Sequence, residues 1–196
     1  MTAQWDTVTI VGVGLIGGSA GLALAKRGAA KKIIGVGRSV SSLEAAKKLG
    51  AISEGTTNIR EGVADADFVL VATRVSVIGN QLEEIDTCVR PGTPITDAGS
   101  TKQSIVDRWE QSRSSRKGRF VGSHPLAGSH KRGPQAADPA LFEDKLTVLT
   151  PVESTPQSDT QSISAFWQLI GAQVCHLSPS EHDRLLASAS HAPHIV

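Results

Sequence analysis

The chain of 196 residues carries 20 Lys and Arg against 19 Asp and Glu, a formal charge of +1. So even a balance does not concentrate the positive surface that a phosphate backbone requires, and it argues against nucleic acid as a partner. Hydrophobic residues make up 39% and charged residues 20%, the composition of a packed core rather than of a disordered chain, with length for one large domain or for one and a small fraction of another. No apolar run reaches the ~20 residues of a bilayer span, and no charged-then-apolar segment opens the chain, so no membrane partner is expected. Cys88 and Cys175 stand far apart without ligand spacing, as in a reduced, cytoplasmic protein.

The first strand is read over Thr7 to Val11. It runs into Gly12-Val13-Gly14-Leu15-Ile16-Gly17-Gly18, then an Ala/Leu-rich helix that stops at Gly28. A second strand follows from Lys32 to Val36, and Ser41 with Glu44 reads as a capping box for a helix ending at Gly50. Asp67 to Ala72 is continuously apolar after its first residue, the pattern of a strand buried on both faces. Val77, Ile78, Leu82, Ile85 and Val89 recur at helical spacing up to Pro91-Gly92. A strand from Thr93 to Thr96 leads through Asp97-Ala98-Gly99-Ser100 to a helix marked by Ile105, Val106 and Trp109.

The polar stretch from Gln111 to Arg119, with Arg113, Arg116 and Lys117, reads as a solvated connector. A short strand from Arg119 to Val121 then enters Gly122-Ser123-His124-Pro125, and Lys145 to Thr150 forms another. After Thr155-Pro156, Ile163, Phe166, Trp167 and Ile170 mark the buried face of a helix closed by Gly171. A strand over Ala172 to Leu177 precedes Ser178-Pro179-Ser180-Glu181, a capping box with Pro at the first helical position. Strands alternating with helices imply an α/β fold: a Rossmann-like, doubly wound, mostly parallel sheet with helices on both faces.

A Gly-x-Gly-x-x-Gly pattern is weak alone. Gly12, Gly14 and Gly17 lie between a strand and a helix within a βαβ unit, and that context makes the pattern a dinucleotide-binding turn. The ribose of such a cofactor is read at the end of the second strand. There the chain offers Gly37-Arg38-Ser39-Val40-Ser41 and no carboxylate, so NADP is expected in preference to NAD, Arg38 pairing with a 2′-phosphate and Ser39 and Ser41 donating to it.

All six histidines lie at or beyond His124. No helical His-x-x-x-His pair with a carboxylate is present to suggest a metal, so no metal ligand is assigned. Proton chemistry remains for some of them, since neutral imidazole suits it near pH 7. His176 and His182 read as histidines without a role.

Four segments occur in order: the glycine turn through Ser19, Asp97-Ala98-Gly99-Ser100-Thr101-Lys102, His124-Pro125-Leu126-Ala127-Gly128-Ser129, and Glu181-His182-Asp183 followed by Ser190-His191-Ala192-Pro193-His194. Over essentially its whole length the chain resembles the prephenate/arogenate dehydrogenase family of tyrosine biosynthesis. The resemblance implies oxidative decarboxylation of a cyclohexadienol, with hydride passing to NAD(P). It implies that His124 accepts the hydroxyl proton and that Ser100 holds the same hydroxyl, both just past strand ends. Ser190 and His194 are implied at the substrate. Gly12, Gly14, Leu15, Ile16, Gly17, Arg38, Ser39, Thr73 and Ser100 are implied at the cofactor.

The chain also departs from the family. His130 stands where many members have Glu, and Arg74 where Pro is more usual. Members continue into a helical domain that forms a homodimer and supplies a substrate arginine, for which Arg184 is not a match. The expected division is therefore a dinucleotide-binding catalytic domain over 1–178 and the first, incomplete segment of a helical dimerisation and substrate domain over 179–196. Two other readings stand beside this one: a Rossmann dehydrogenase of the hydroxyacid or imino-acid reductase type, and a non-catalytic NADP(H)-binding module.

Overall fold

A computed structural model describes residues 4–111, 116–128 and 133–191. The chain alternates β1 (Trp5–Val11), α1 (Leu15–Lys26), β2 (Ala30–Val36), α2 (Val40–Lys48), β3 (Glu54–Thr56), α3 (Ile59–Val63), β4 (Phe68–Val71) and α4 (Val75–Cys88). It continues through β5 (Pro94–Asp97), α5 (Gln103–Gln111), β6 (Arg119–Pro125), β7 (Leu146–Thr150), α6 (Gln157–Leu169), β8 (Gln173–His176) and α7 (Pro179–His191). The eight strands form one sheet in the order β3-β2-β1-β4-β5-β6-β7-β8, parallel except where β7 runs antiparallel to β6. Sequence order reverses between β1 and β4, and at such a switch point the carboxyl ends of the strands leave a crevice for a ligand.

Alternation along the central strand divides the core in two. Phe68 and Leu70 of β4 join one cluster with Leu24 of α1 and Phe166 and Trp167 of α6. Val69 and Val71 join the other, with Ile78, Leu82 and Ile85 of α4 and Ile105 and Trp109 of α5. A strand buried on both faces must be apolar at every position, as this one is. Trp5, Phe68 and Phe166 extend the first cluster, the last two with stacked rings 4.2 Å apart.

Three local expectations need correction. The cap of α2 is Ser39, whose hydroxyl accepts from the Ser42 amide at 3.4 Å, so the helix starts before the Ser41–Glu44 pair. β6 runs on to Pro125 because β7 pairs with it through Gly122, Ser123, His124 and Pro125. His124 therefore lies within a strand rather than beyond one. β3 and α3 escape sequence reading because three and five residues show no period; α3 is started by Asn58, whose side chain accepts from the amides of Arg60 and Glu61. The box at α7 forms as its residues dictate: Glu181 N donates to Ser178 Oγ at 3.3 Å and Ser178 N to Glu181 Oε2 at 3.0 Å. In the connector before β6, Arg113 lies outside the described residues, Arg116 packs over the Trp109 ring and Arg119 pairs with Asp159. Among the described residues no helix is long and apolar enough to cross a membrane.

Candidate active site

The three glycines of the β1–α1 turn meet three different surroundings. Gly12 has φ +98°, and a Cβ there would stand 2.6 Å from the Ala72 carbonyl and 2.8 Å from Thr73 Cγ2. A Cβ on Gly17 would lie 2.0 Å from the Gly12 carbonyl oxygen and 2.8 Å from Ile10 Cγ2, so glycine is what lets α1 close onto β1. At Gly14 a Cβ would meet nothing within 4 Å, so the backbone faces open space. Turn, close packing and open approach are the three demands of a dinucleotide diphosphate. Gly14 is also the N-cap of α1, with no side chain capping it and no acid in the first turn. The free amides and positive dipole end therefore point at any anion placed there.

Beside this turn lies a cleft of about 470 Å³ lined by Leu15, Ile16, Thr73, Ser100 and His124, with Arg74, Val75 and Pro125 also on its wall. The carboxyl ends of β1, β4, β5 and β6 thus bring together five of the residues expected at cofactor or substrate. Ser100 is exposed in the loop after β5 and does not cap α5. Arg38 and Ser39 stand apart from the cleft, past the end of β2. Arg38 is exposed, while the Ser39 hydroxyl is engaged with Ser42 N and, at 2.6 Å, with Ser41 Oγ. Ser190 lies on α7, whereas His130 and His194 fall outside the described residues.

Beneath the cleft is a buried polar knot. Lys102 and Asp97 form an ion pair with both side chains fully enclosed. Lys102 Nζ also donates to the Ser123 carbonyl at 2.8 Å, and Asp97 accepts from Gly99 N at 2.8 Å and Ser123 N at 3.1 Å. Trp167 Nε1 donates to Ser123 Oγ at 2.9 Å from the other face. Burial pushes the Lys102 ammonium below its usual pKa while the Asp97 carboxylate pulls it back. Such a pair is costly to bury and holds only with its hydrogen bonds complete. Its effect here is to fix the Ser100 loop and the end of β6 against each other.

Because side chains alternate along a strand, Ser123 faces this knot and His124 faces the opposite way, toward α7. His124 Nδ1 is 2.9 Å from His182 Nε2, and His182 Nδ1 is 2.8 Å from Asp183 Oδ1. Asp183 also accepts from the amides of Lys102 at 2.8 Å and Gln103 at 3.0 Å, capping α5 from another helix. Burial draws the pKa of His124 from 6.5 to about 4, helped by His182 and Lys102 and opposed by Asp183. Burial would raise the Asp183 pKa, but hydrogen bonds from His182, Lys102 and Gln103 hold it below the usual value.

His182, read from sequence as a histidine without a role, is fully buried and lies 2.9 Å from the candidate proton acceptor. The signal available was positional: the capping box at Ser178 puts His182 and Asp183 in the first turns of α7. Lys102 closes the motif that begins at Asp97, but nothing in the sequence indicates that it is buried. Among the described residues, no group of His, Cys, Asp and Glu is arranged to hold a metal ion.

Residues 20–176 match the family model described as prephenate dehydrogenase, nucleotide-binding domain. Prephenate dehydrogenase of Bacillus subtilis (strain 168) is 40% identical over 197 residues, which is 100% of this chain and 53% of that protein. The crystal structure of A. aeolicus prephenate dehydrogenase in complex with hydroxyphenyl propionate and NAD+ superposes with a TM-score of 0.88 at 33% identity, covering 96% of this chain and 65% of the other. Synechocystis arogenate dehydrogenase follows with a TM-score of 0.86 at 29% identity, covering 95% and 65%. The chain spans about half the length of the first curated relatives it matches, 53% and 51%. By its fold, its glycine turn and a family match across most of its length, the chain belongs to the prephenate dehydrogenase nucleotide-binding domain family.

Proposed function

We propose that this chain is the cofactor-binding and proton-accepting part of a dehydrogenase that converts prephenate to 4-hydroxyphenylpyruvate, or arogenate to tyrosine, in tyrosine biosynthesis. The observation that carries the reading is the placement of Ser100 and His124 on one cleft with Leu15, Ile16 and Thr73, directly beside the open glycine turn. The amides opening α1 would hold the diphosphate, with Gly12, Gly14 and Gly17 shaping the turn, and Leu15, Ile16, Thr73 and Ser100 would flank the nicotinamide end. Bound there, a nicotinamide dinucleotide supplies the hydride acceptor.

His124 accepts the proton of the ring hydroxyl as hydride leaves the same carbon. The electron pair of the ring–carboxylate bond then passes into the ring as CO2 departs, and the proton returns to the phenolate oxygen. A neutral imidazole is required for the first step, and the lowered pKa of His124 keeps it neutral throughout the physiological range. Ser100 orients the hydroxyl. Ser190 and His194 complete the substrate side. Residues 1–178 form the dinucleotide-binding catalytic domain, and 179–196 open a helical domain through which two copies pair.

The cofactor preference is for NADP. Arg38 is exposed past the end of β2, and the segment Gly37 to Ser41 carries no carboxylate to compete for a 2′-phosphate, although Ser39 is partly committed to capping α2. Fluorescence titration should show NADP(H) binding ahead of NAD(H) and Arg38→Ala erasing the gap; equal affinities in the unaltered protein would reject this assignment. For the reaction, the complete protein given NADP+ and prephenate or arogenate should yield reduced cofactor and CO2 in equal amounts. Failure to turn over either substrate would overturn the proposal.

A further inference from the structure

The helix that follows the dinucleotide fold, α7, reaches back to the candidate proton acceptor with two polar side chains, and their order along the hydrogen-bond chain decides where protons sit. Asp183 is held as a carboxylate by three donors, so it only accepts, and His182 Nδ1 must carry the proton between them. With that proton on Nδ1, His182 presents Nε2 as the acceptor toward His124. The ring facing it at 2.9 Å is His124 through Nδ1, which must in turn be the protonated nitrogen. Nδ1 of His124 is thereby consumed, and Nε2, with its lone pair, is the nitrogen left for the cleft that His124 lines.

We propose that His182 and Asp183 are positioning residues that fix His124 in its Nδ1–H tautomer, so that its Nε2 lone pair meets the substrate hydroxyl. The proposal rests on the reading of His124 as proton acceptor and extends it to a second pair of residues, borne by another element. The groups surrounding His124 agree with it. His182 and Asp183 face it from α7, the Lys102 ammonium lies on the α5 side, and Lys102 is itself neutralised by Asp97 of β5. Among the described residues no carboxylate contacts His124 directly, and the Asp183 carboxylate acts on it through His182.

The arrangement has a second consequence. The same Asp183 carboxylate caps the first amides of α5, the helix entered from the Ser100 loop. One side chain thus ties the tautomer of His124 to the placement of Ser100. If α7 opens the helical part of the protein, displacement of that part would loosen both groups together.

The two imidazole tautomers have distinct nitrogen shifts in long-range proton–nitrogen spectra, which makes the test direct. In the complete protein near pH 7, His124 and His182 are expected to carry their protons on Nδ1. His182→Leu removes the acceptor that faces His124 Nδ1 at 2.9 Å, so the His124 proton is no longer confined to Nδ1 and the Nε2–H tautomer should become populated. With folding and cofactor affinity retained, kcat should fall by about tenfold or more, since a ring protonated on Nε2 cannot accept there. His124 found protonated on Nε2 in the unaltered protein would overturn the proposal, as would a His182→Leu protein in which His124 stays wholly on Nδ1 or in which kcat is within about threefold of normal. Should His182→Leu not fold, the tautomer of the unaltered protein decides alone. If instead that tautomer is as expected but neither prephenate nor arogenate is turned over, the fault lies with the functional reading and not with the relay.

Discussion

Gly14 and Gly17 are three residues apart in one turn, yet the structure gives alanine at each an opposite consequence. At Gly17 the new methyl would stand 2.0 Å from the Gly12 carbonyl oxygen, a backbone atom that cannot rotate away, and 2.8 Å from Ile10 Cγ2. Overpacking costs typically 1–3 kcal/mol, and contact with fixed backbone puts this case at about 3 kcal/mol or above. For a chain of this length each kcal/mol lowers Tm by roughly 2–4 °C, so Gly17→Ala should melt about 6–12 °C early. At Gly14 the methyl meets nothing within 4 Å and φ is an ordinary −79°, so only the weaker N-capping of alanine is felt, about 1 kcal/mol or less. That methyl would project where a diphosphate must approach, and Gly14→Ala should weaken dinucleotide binding by about tenfold or more, ~1.4 kcal/mol. Thermal melts and cofactor titrations on the two variants separate the effects. Undiminished cofactor affinity in Gly14→Ala, or an unchanged Tm in Gly17→Ala, would refute the assignment of roles within the turn.

Two further outcomes follow from the buried groups. Lys102→Met leaves the enclosed Asp97 carboxylate with its amide donors but no cation, which should cost about 3–5 kcal/mol in denaturant unfolding; a loss below about 1 kcal/mol would mean that the carboxylate is not buried as described. The ring of His124 should titrate near its expected pKa of about 4 rather than 6.5. Between those values the unfolded chain binds a proton there that the folded one does not, so this residue's contribution to stability is complete above 6.5 and is lost as pH falls toward 4. Proton NMR of the histidine rings across that range checks it, and a midpoint at 6.5 would contradict the enclosed geometry.

Much of the fold is legible from local chemistry. The β1–turn–α1 unit, the continuously apolar β4 and the capping box of α7 each carry their signal within a few consecutive residues, so periodicity and cap chemistry suffice. The candidate site divides along the same line. His124, Ser100 and the glycines sit in motifs that can be read in sequence, whereas contacts between distant segments cannot. His182 lies 58 positions from His124, and Asp183 caps a helix 81 positions before it. Nothing short of the folded sheet brings them together. The extension of β6 through His124 escapes for a related reason: Gly122-Ser123-His124-Pro125 has turn-like composition, and only pairing with β7 holds it extended.

His124 as the acceptor of the hydroxyl proton is the claim on which the functional account stands. Its most direct test is single-turnover hydride transfer by the complete protein carrying His124→Asn, which keeps a polar side chain in the site but cannot take up a proton. The rate should lie about 10²- to 10⁴-fold below normal, with cofactor affinity unchanged. A rate within about threefold of normal would contradict it.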